Sequence, residues 1–131
     1  KRADVVLTLN KQYSISELKE NTLVPSKPDK GVYAFCGIAN PNSFLDFLKT
    51  ENVEIKWKTV FKDHHDYSDQ SIKKLQDFIN QSGANSIITT EKDLVKLPEE
   101  FFKQYQVYIV MMSIVFEDNT FYEDVLNCIK D

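Results

Sequence analysis

Short stretches dense in apolar and β-branched residues, at 32–36 (Val-Tyr-Ala-Phe-Cys), 86–89 and 107–112, constrain this chain more than any other feature. They lack the polar alternation of a strand covered on one face, and so suit strands buried on both. Between them the apolar positions recur at three and four. Asn40 stands as an N-cap with Pro41 at the first helical position, and Phe44, Leu45, Phe47 and Leu48 form the stripe that follows. Ser68 caps a second helix with apolar residues Ile72, Leu75, Phe78 and Ile79, which Gly83 ends. Strands and helices in alternation predict an α/β fold, a mostly parallel sheet with flanking helices.

The remaining stretches are read from the same rules. Residues 53–61 alternate well enough for a strand, with Val53, Ile55, Trp57, Thr59 and Phe61 on one face. Residues 4–9 are strand-like, 10–30 read as a polar connection in which Ser16 to Glu20 make one helical turn before Pro25 and Pro28, and 120–129 as a closing amphipathic helix. The expected organisation is a single α/β domain over 1–131, with 1–31 a connecting segment and 32–131 a compact core. A chain of 131 residues buries roughly two thirds of its unfolded surface on folding, enough for a real core. The chain opens Lys1-Arg2-Ala3-Asp4 without an initiator Met or a signal peptide, yet residues 5–9 already read as a buried strand. The expectation is therefore a fragment cut from a longer protein.

Composition excludes several classes. A net charge of −4, a pI near 5.2 and a single arginine, Arg2, argue against nucleic acid as a main partner, which needs clustered cations. No apolar run approaches the roughly 20 residues of a membrane span. Cys36 in a strand and Cys128 on the last helix read as two reduced, packed thiols of a cytosolic protein, not as a disulfide.

Chemistry near neutral pH must pass through Phe61-Lys62-Asp63-His64-His65-Asp66-Tyr67-Ser68, where both histidines of the chain lie between carboxylates, just before a helix start. Neighbouring carboxylates favour the protonated imidazole or fix its tautomer. The plain alternative is a polar loop that caps a helix. In parallel sheets ligands gather at the carboxyl ends of the strands, and three loops fall there: Gly37 to Pro41, Lys62 to Ser68, and Thr89 to Asp93. The first offers helix N-terminal amides to an anion, although a capped turn with Gly37 needed only for backbone shape is the preferred reading. In the third, Thr90 and Asp93 suit a capping-box-like start, and an exposed Glu91-Lys92-Asp93 cluster contributes little by itself. With glycine at positions 31, 37 and 83 alone, neither a phosphate-binding loop of the form G-x-x-x-x-G-K-[ST] nor a dinucleotide fingerprint can form. No metal site is predicted. The side chains of Asp63, His64, His65 and Asp66 diverge, and no distant histidine cluster completes a shell. The Asp-His-His letters alone do not make a phosphoesterase of the family named after them, because its further aspartates have no counterparts here.

Taken together, Gly37-Ile38-Ala39-Asn40-Pro41 with Phe44, Phe61-x-Asp63-His64-His65 with Tyr67-Ser68, and Thr89-Thr90-Glu91-Lys92-Asp93-x-Val95-Lys96-Leu97 resemble the C-terminal region of the tetraacyldisaccharide 4'-kinases, the lipid A 4'-kinases of Gram-negative bacteria. The Arg2-Ala3-Asp4 opening also resembles the segment that follows their nucleotide-binding half. The resemblance covers roughly residues 1 to 115 and departs from the family at Leu7-Thr8-Leu9-Asn10, where a Thr-Lys pair is usual.

The resemblance implies a P-loop kinase that moves the γ-phosphate of ATP to the 4'-hydroxyl of a lipid disaccharide at the cytoplasmic face of the inner membrane. ATP and Mg²⁺ would be bound mainly by an N-terminal domain that this sequence lacks, with no cofactor expected on the piece itself. Its expected partners are that P-loop domain, the lipid disaccharide and, through the whole protein, the membrane surface. His64 carries over as the partner of an aspartate base in the other domain, with Asp63 supporting it and His65 peripheral. Asn40, Gly37, Glu91, Lys92 and Asp93 are expected to shape the substrate cleft or hinge. The piece alone is expected to be soluble and inactive. Two readings from other classes stay open: a non-catalytic binding or lid module, and an interaction protein whose loops are only helix caps.

Overall fold

The computed structural model describes the backbone of residues 9–116 and the side chains of 11–113. The expected strand at 4–9, apart from Leu9, the closing helix at 120–129, Cys128 and the Arg2-Ala3-Asp4 opening lie outside the described residues. The chain divides into two compact units, Ser14–Met111 and a second made of residues 1–13 and 112–131. All packing and chemistry below belong to the first.

A six-stranded sheet runs in the order β2-β1-β6-β5-β3-β4. Strand β3 (Val32–Cys36) lies inside it and pairs in parallel with β4 (Ile55–Val60) on one side and β5 (Ser86–Thr90) on the other; β5 in turn pairs in parallel with β6 (Gln106–Phe116). Position explains sequence here. Every residue of β3 is buried, as its unbroken apolar run requires, and the edge strand β4 is half-buried to exposed along its length.

Helix α1 (Pro41–Thr50) starts as its sequence dictates, with the Asn40 side chain accepting from the Ser43 amide at 3.2 Å and Pro41 in the first turn. Helix α2 (Asp69–Ser82) is capped by Ser68, which accepts from the Ser71 amide, and ends at Gly83 with φ 75. That left-handed turn is where glycine carries no Cβ penalty. Leu75 and Ile79 of α2 join Tyr33, Phe35, Ile87, Val107 and Ile109 in one apolar cluster. The alternate sheet residues Val32, Ala34, Cys36, Ile88, Tyr108 and Val110 are buried on the opposite face, and Phe44 and Leu48 of α1 are buried outside that cluster. Two one-turn helices, α3 (Glu91–Leu94) and α4 (Glu99–Phe102), complete the connection from β5 to β6.

Two expectations are corrected. Residues 10–30 are not a polar connection with a helical turn: β1 (Leu9–Lys19) and β2 (Thr22–Pro25) form an antiparallel hairpin. Its two turn residues, Glu20 and Asn21, both have positive φ, 49 and 66, which is the primed turn that matches strand twist. Ser16 and Glu17, expected in the helical turn, are buried strand residues. The second correction concerns β4. Val32 pairs with Ile55 but Tyr33 pairs with Trp57, so Lys56 is an inserted residue. Such a bulge reverses the alternation of a strand, and Ile55 and Trp57 face opposite sides instead of sharing one.

The strand order also locates the ligand-binding side of such a sheet. From β3 the chain goes outward to β4, crosses back over β3 to β5, and continues to β6. The loops after β3 and β5 therefore leave in opposite directions, and a crevice at their carboxyl ends is where parallel α/β sheets bind ligands.

Candidate functional site

All three loops singled out in the sequence meet at that carboxyl end. The centre of the meeting is Asp93, 1% exposed in the first turn after β5. Its Oδ1 accepts from the Gly37 amide at 2.9 Å and from the Tyr67 hydroxyl at 2.8 Å, and its Oδ2 accepts from the Thr90 hydroxyl at 2.5 Å. Thr90 in turn accepts from the Asp93 amide, the reciprocal local bonding that its sequence position predicts. One carboxylate thus joins the β3–α1, β4–α2 and β5–α3 loops.

Gly37 is required by proximity. A Cβ there would lie 2.9 Å from the His65 Cβ and 3.1 Å from the Lys62 carbonyl oxygen, so the first and second loops touch with no room for a methyl group. The Phe61 amide also donates to the Cys36 carbonyl at 2.8 Å, continuing the β3–β4 contact into the loop.

The two histidines have opposite environments. The His65 ring stacks on Phe61 with centroids 4.0 Å apart and planes 8° from parallel, meets Tyr67 edge-on at 4.6 Å, and shares a 2.6 Å hydrogen bond from Nε2 with the Ser71 hydroxyl. The Lys96 ammonium donates to its backbone carbonyl. These contacts make His65 an anchor of the loop. His64, by contrast, has a side chain 89% exposed, with Nε2 3.6 Å from Asp63 Oδ2. It is held at φ 58, the left-handed region that a residue with a Cβ seldom occupies. The packing of His65 on one side of the peptide and the projection of His64 on the other are two results of the same turn.

The remaining expected residues divide. Asn40 uses its side chain to cap α1. Glu91 and Lys92 are exposed on α3. Asp93 is too deeply buried to touch a substrate, and its contribution to any cleft passes through the loops it holds. Tyr67, part of the quoted motif but given no role from sequence, belongs to the site. Its signal was its place immediately before the Ser68 cap, where an apolar residue fixes the entry of the chain into a helix.

The electrostatics agree with the geometry. Burial pushes the Cys36 thiol up to about 11, assisted by the negative charge of Asp93. The Tyr67 phenol is likewise pushed far up, first by burial and then by the Asp93 charge and hydrogen bond. Both groups are therefore neutral at physiological pH and neither is an activated nucleophile. Among the described residues no group of three or more His, Cys, Asp or Glu is arranged to hold a metal ion. No helix among them is long and apolar enough to cross a membrane.

Two clefts border the edge of the sheet. A cleft of about 270 Å³ is lined by Tyr33, Trp57, Phe78, Gln81 and Ser82. A second, of about 490 Å³, lies along Leu45, Lys49, Ile55 and Lys58. Both border the edge strand β4 and neither contains the histidine loop. The histidine loop and the buried Asp93 lie at the strand ends.

A family model described as tetraacyldisaccharide-1-P 4'-kinase (LpxK) matches residues 2–130. The chain belongs to this family. Family relatives named tetraacyldisaccharide 4'-kinase include one from Desulfotalea psychrophila, 38% identical over 73% of this chain and 26% of its own. Another, from Halothermothrix orenii, is 28% identical over 89% of this chain and 33% of its own. The chain thus spans between a quarter and a third of the length of these relatives. The crystal structure of LpxK from Aquifex aeolicus in complex with ATP superimposes with a TM-score of 0.60 at 23% identity, over 94% of this chain and 36% of that one. The family kinase fold therefore contains this sheet.

Proposed function

We propose that this chain is the C-terminal domain of an ATP-dependent kinase that phosphorylates the 4'-hydroxyl of a tetraacyldisaccharide 1-phosphate in lipid A biosynthesis, working at the cytoplasmic face of the inner membrane. The observation that carries the reading is the family match along residues 2–130. In this reading the rest of the protein binds ATP and Mg²⁺. The sequence has no phosphate-binding glycine loop of the G-x-x-x-x-G-K-[ST] form. The domain's partners are then that nucleotide-binding portion and the lipid disaccharide, with the membrane surface contacted by the whole protein.

His64 acts from this side of the cleft. Its imidazole projects from the carboxyl end of the sheet with Asp63 beside it. It is suited to hydrogen-bond and orient a carboxylate base on the other domain as that base takes the proton of the 4'-hydroxyl. Asp63 holds the imidazole's orientation by facing Nε2. Gly37, Asn40, Glu91 and Lys92 shape the surrounding rim, and Asp93 acts beneath it. A positioned base contributes roughly 10²- to 10⁴-fold to such a transfer, and the loss of its orienting partner removes part of that.

The test is ATP-dependent 4'-phosphorylation by the full-length parent protein, wild type against folded His64→Ala. A fall in kcat of about two orders of magnitude supports the catalytic histidine. Residues 1–131 alone are expected to give no phosphorylated product, and a measurable rate from them overturns the division of labour. A lid without catalytic groups is the second reading. It predicts an unchanged kcat for His64→Ala.

A further inference from the structure

We infer that Asp93 is a positioning residue for the histidine loop: its one buried carboxylate sets where the loops after β3 and β4 stand relative to each other, and so where His64 projects. The consequence for catalysis rests on the proposed role of His64; the consequence for loop geometry does not.

The Asp93 carboxylate is spent entirely on the backbone and side chains of the site. Its three donors come from three different loops, and two of them, the Gly37 amide and the Tyr67 hydroxyl, share Oδ1. Among the described residues no lysine or arginine forms an ion pair with it. A buried carboxylate without a cation is costly unless its hydrogen bonds are well placed. Burial first, and then the Asp93 charge, pushes the Cys36 and Tyr67 groups up. The local turn after β5 needs only the Thr90 cap; the contacts to Gly37 and Tyr67 span 56 and 26 residues of sequence and do nothing for that turn.

The route to His64 is short. Tyr67 lies three residues beyond it and is fixed by Asp93 at its hydroxyl and by Phe35, Phe61 and His65 around its ring. On the other side, Gly37 is fixed by Asp93 at its amide, and His65 and the Lys62 carbonyl stand so close that a Cβ on Gly37 would clash with them. The segment from Lys62 to Tyr67 is therefore confined at both ends by groups that share one carboxylate, and the left-handed His64 lies within it. Removing the clamp lets the turn relax toward conformations that residues with a Cβ prefer, and misplacement of a reacting group by about 1 Å costs up to about 10²-fold in rate.

The experiment uses the full-length protein with Asp93→Asn, Tyr67→Phe, His64→Ala and the His64→Ala/Asp93→Asn double variant, with Leu48→Val as a core control away from the loops. Asparagine keeps the shape and an accepting oxygen; Tyr67→Phe removes one donor and keeps the ring. Expected are losses in kcat of about ten-fold for Asp93→Asn, with the KM for ATP unchanged, and a double variant no slower than His64→Ala alone. Hydrogen exchange at the Gly37 amide is expected to quicken by at least about ten-fold in Asp93→Asn relative to the α2 amides, and to be unchanged in Leu48→Val. Folded Asp93→Asn with wild-type kcat and wild-type Gly37 protection overturns the inference, as do losses that multiply with His64→Ala. If His64→Ala is fully active while Gly37 protection still falls in Asp93→Asn, the catalytic reading of His64 fails and the positioning of the loop stands.

Discussion

The carboxyl end of the sheet and its β4 edge are built by opposite means. At the strand ends, Gly37, Tyr67, Thr90 and Asp93 satisfy each other's polar groups in a space with no room for a methyl on Gly37. Along the edge, Trp57 and Val60 are 55% and 45% exposed beside two open clefts. The two clefts described border the edge, and the convergent polar side chains are at the strand ends. Orientation of side chains comes from saturated hydrogen bonding more than from empty space.

The contrast can be broken by mutation, beginning where the effect is largest. Asp93→Ala leaves the Gly37 amide and the Tyr67 hydroxyl unpaired in a buried site, and is expected to cost about 4 kcal/mol in chemical denaturation. A loss below about 1 kcal/mol would mean that the carboxylate merely fills space.

Alkali is the next lever. The Cys36 thiol ionises near 9.0 when unfolded and is held up to about 11 in the fold. Between these values the unfolded chain has released a proton that the folded one keeps, so the unfolded state binds fewer protons and stability falls as pH rises. The loss approaches roughly 2–3 kcal/mol by the upper end of the window and is absent below it. Tyr67, raised in the same direction from 10.0, extends the loss upward. Urea midpoints taken from about pH 8 to about pH 11 should decline, and Cys36→Ala should flatten the lower part of that decline; a flat wild-type profile would refute the burial of the thiol.

Gly37→Ala places a methyl against the His65 Cβ and the Lys62 carbonyl, and is expected to destabilise by about 1–3 kcal/mol, as overpacking does. Its sharper signature is a loss of the upfield ring-current shifts between His65 and Phe61 in proton spectra, since the stacked pair must move. At the far end of the scale, Val60→Thr on the exposed edge should change stability by no more than about 0.5 kcal/mol. A larger cost there would show the edge to be more than solvated surface.

Elements whose signal is local were legible from sequence. Asn40-Pro41, Ser68 and Gly83 carry their cap chemistry in their own side chains or in the lack of one, and both long helices begin, and the second ends, where those residues stand. The hairpin of β1 and β2 was hidden because Glu20-Asn21 is a weaker turn signal than Asn-Gly, and because polar residues on an outer strand imitate a loop. The bulge at Lys56 was hidden for a different reason: an inserted residue is defined by the partner strand, and no feature of 53–61 alone records it.

For the site, the sequence by itself determined the family, the three motifs and the position of each on a loop following a strand, because these depend on residue order and local capping. It did not show which of the two imidazoles is enclosed, or distinguish a surface acid from a buried one. Those assignments were made by tertiary structure: Phe61, Tyr67 and Ser71 enclose one imidazole and leave the other outside, and Gly37 and Tyr67, 56 and 26 residues away, convert Asp93 from part of a charged cluster into a buried anchor. The physical reason is that the environment of a charge or a ring is set by neighbours in space, and β3, β4 and β5 bring their neighbours from distant parts of the chain.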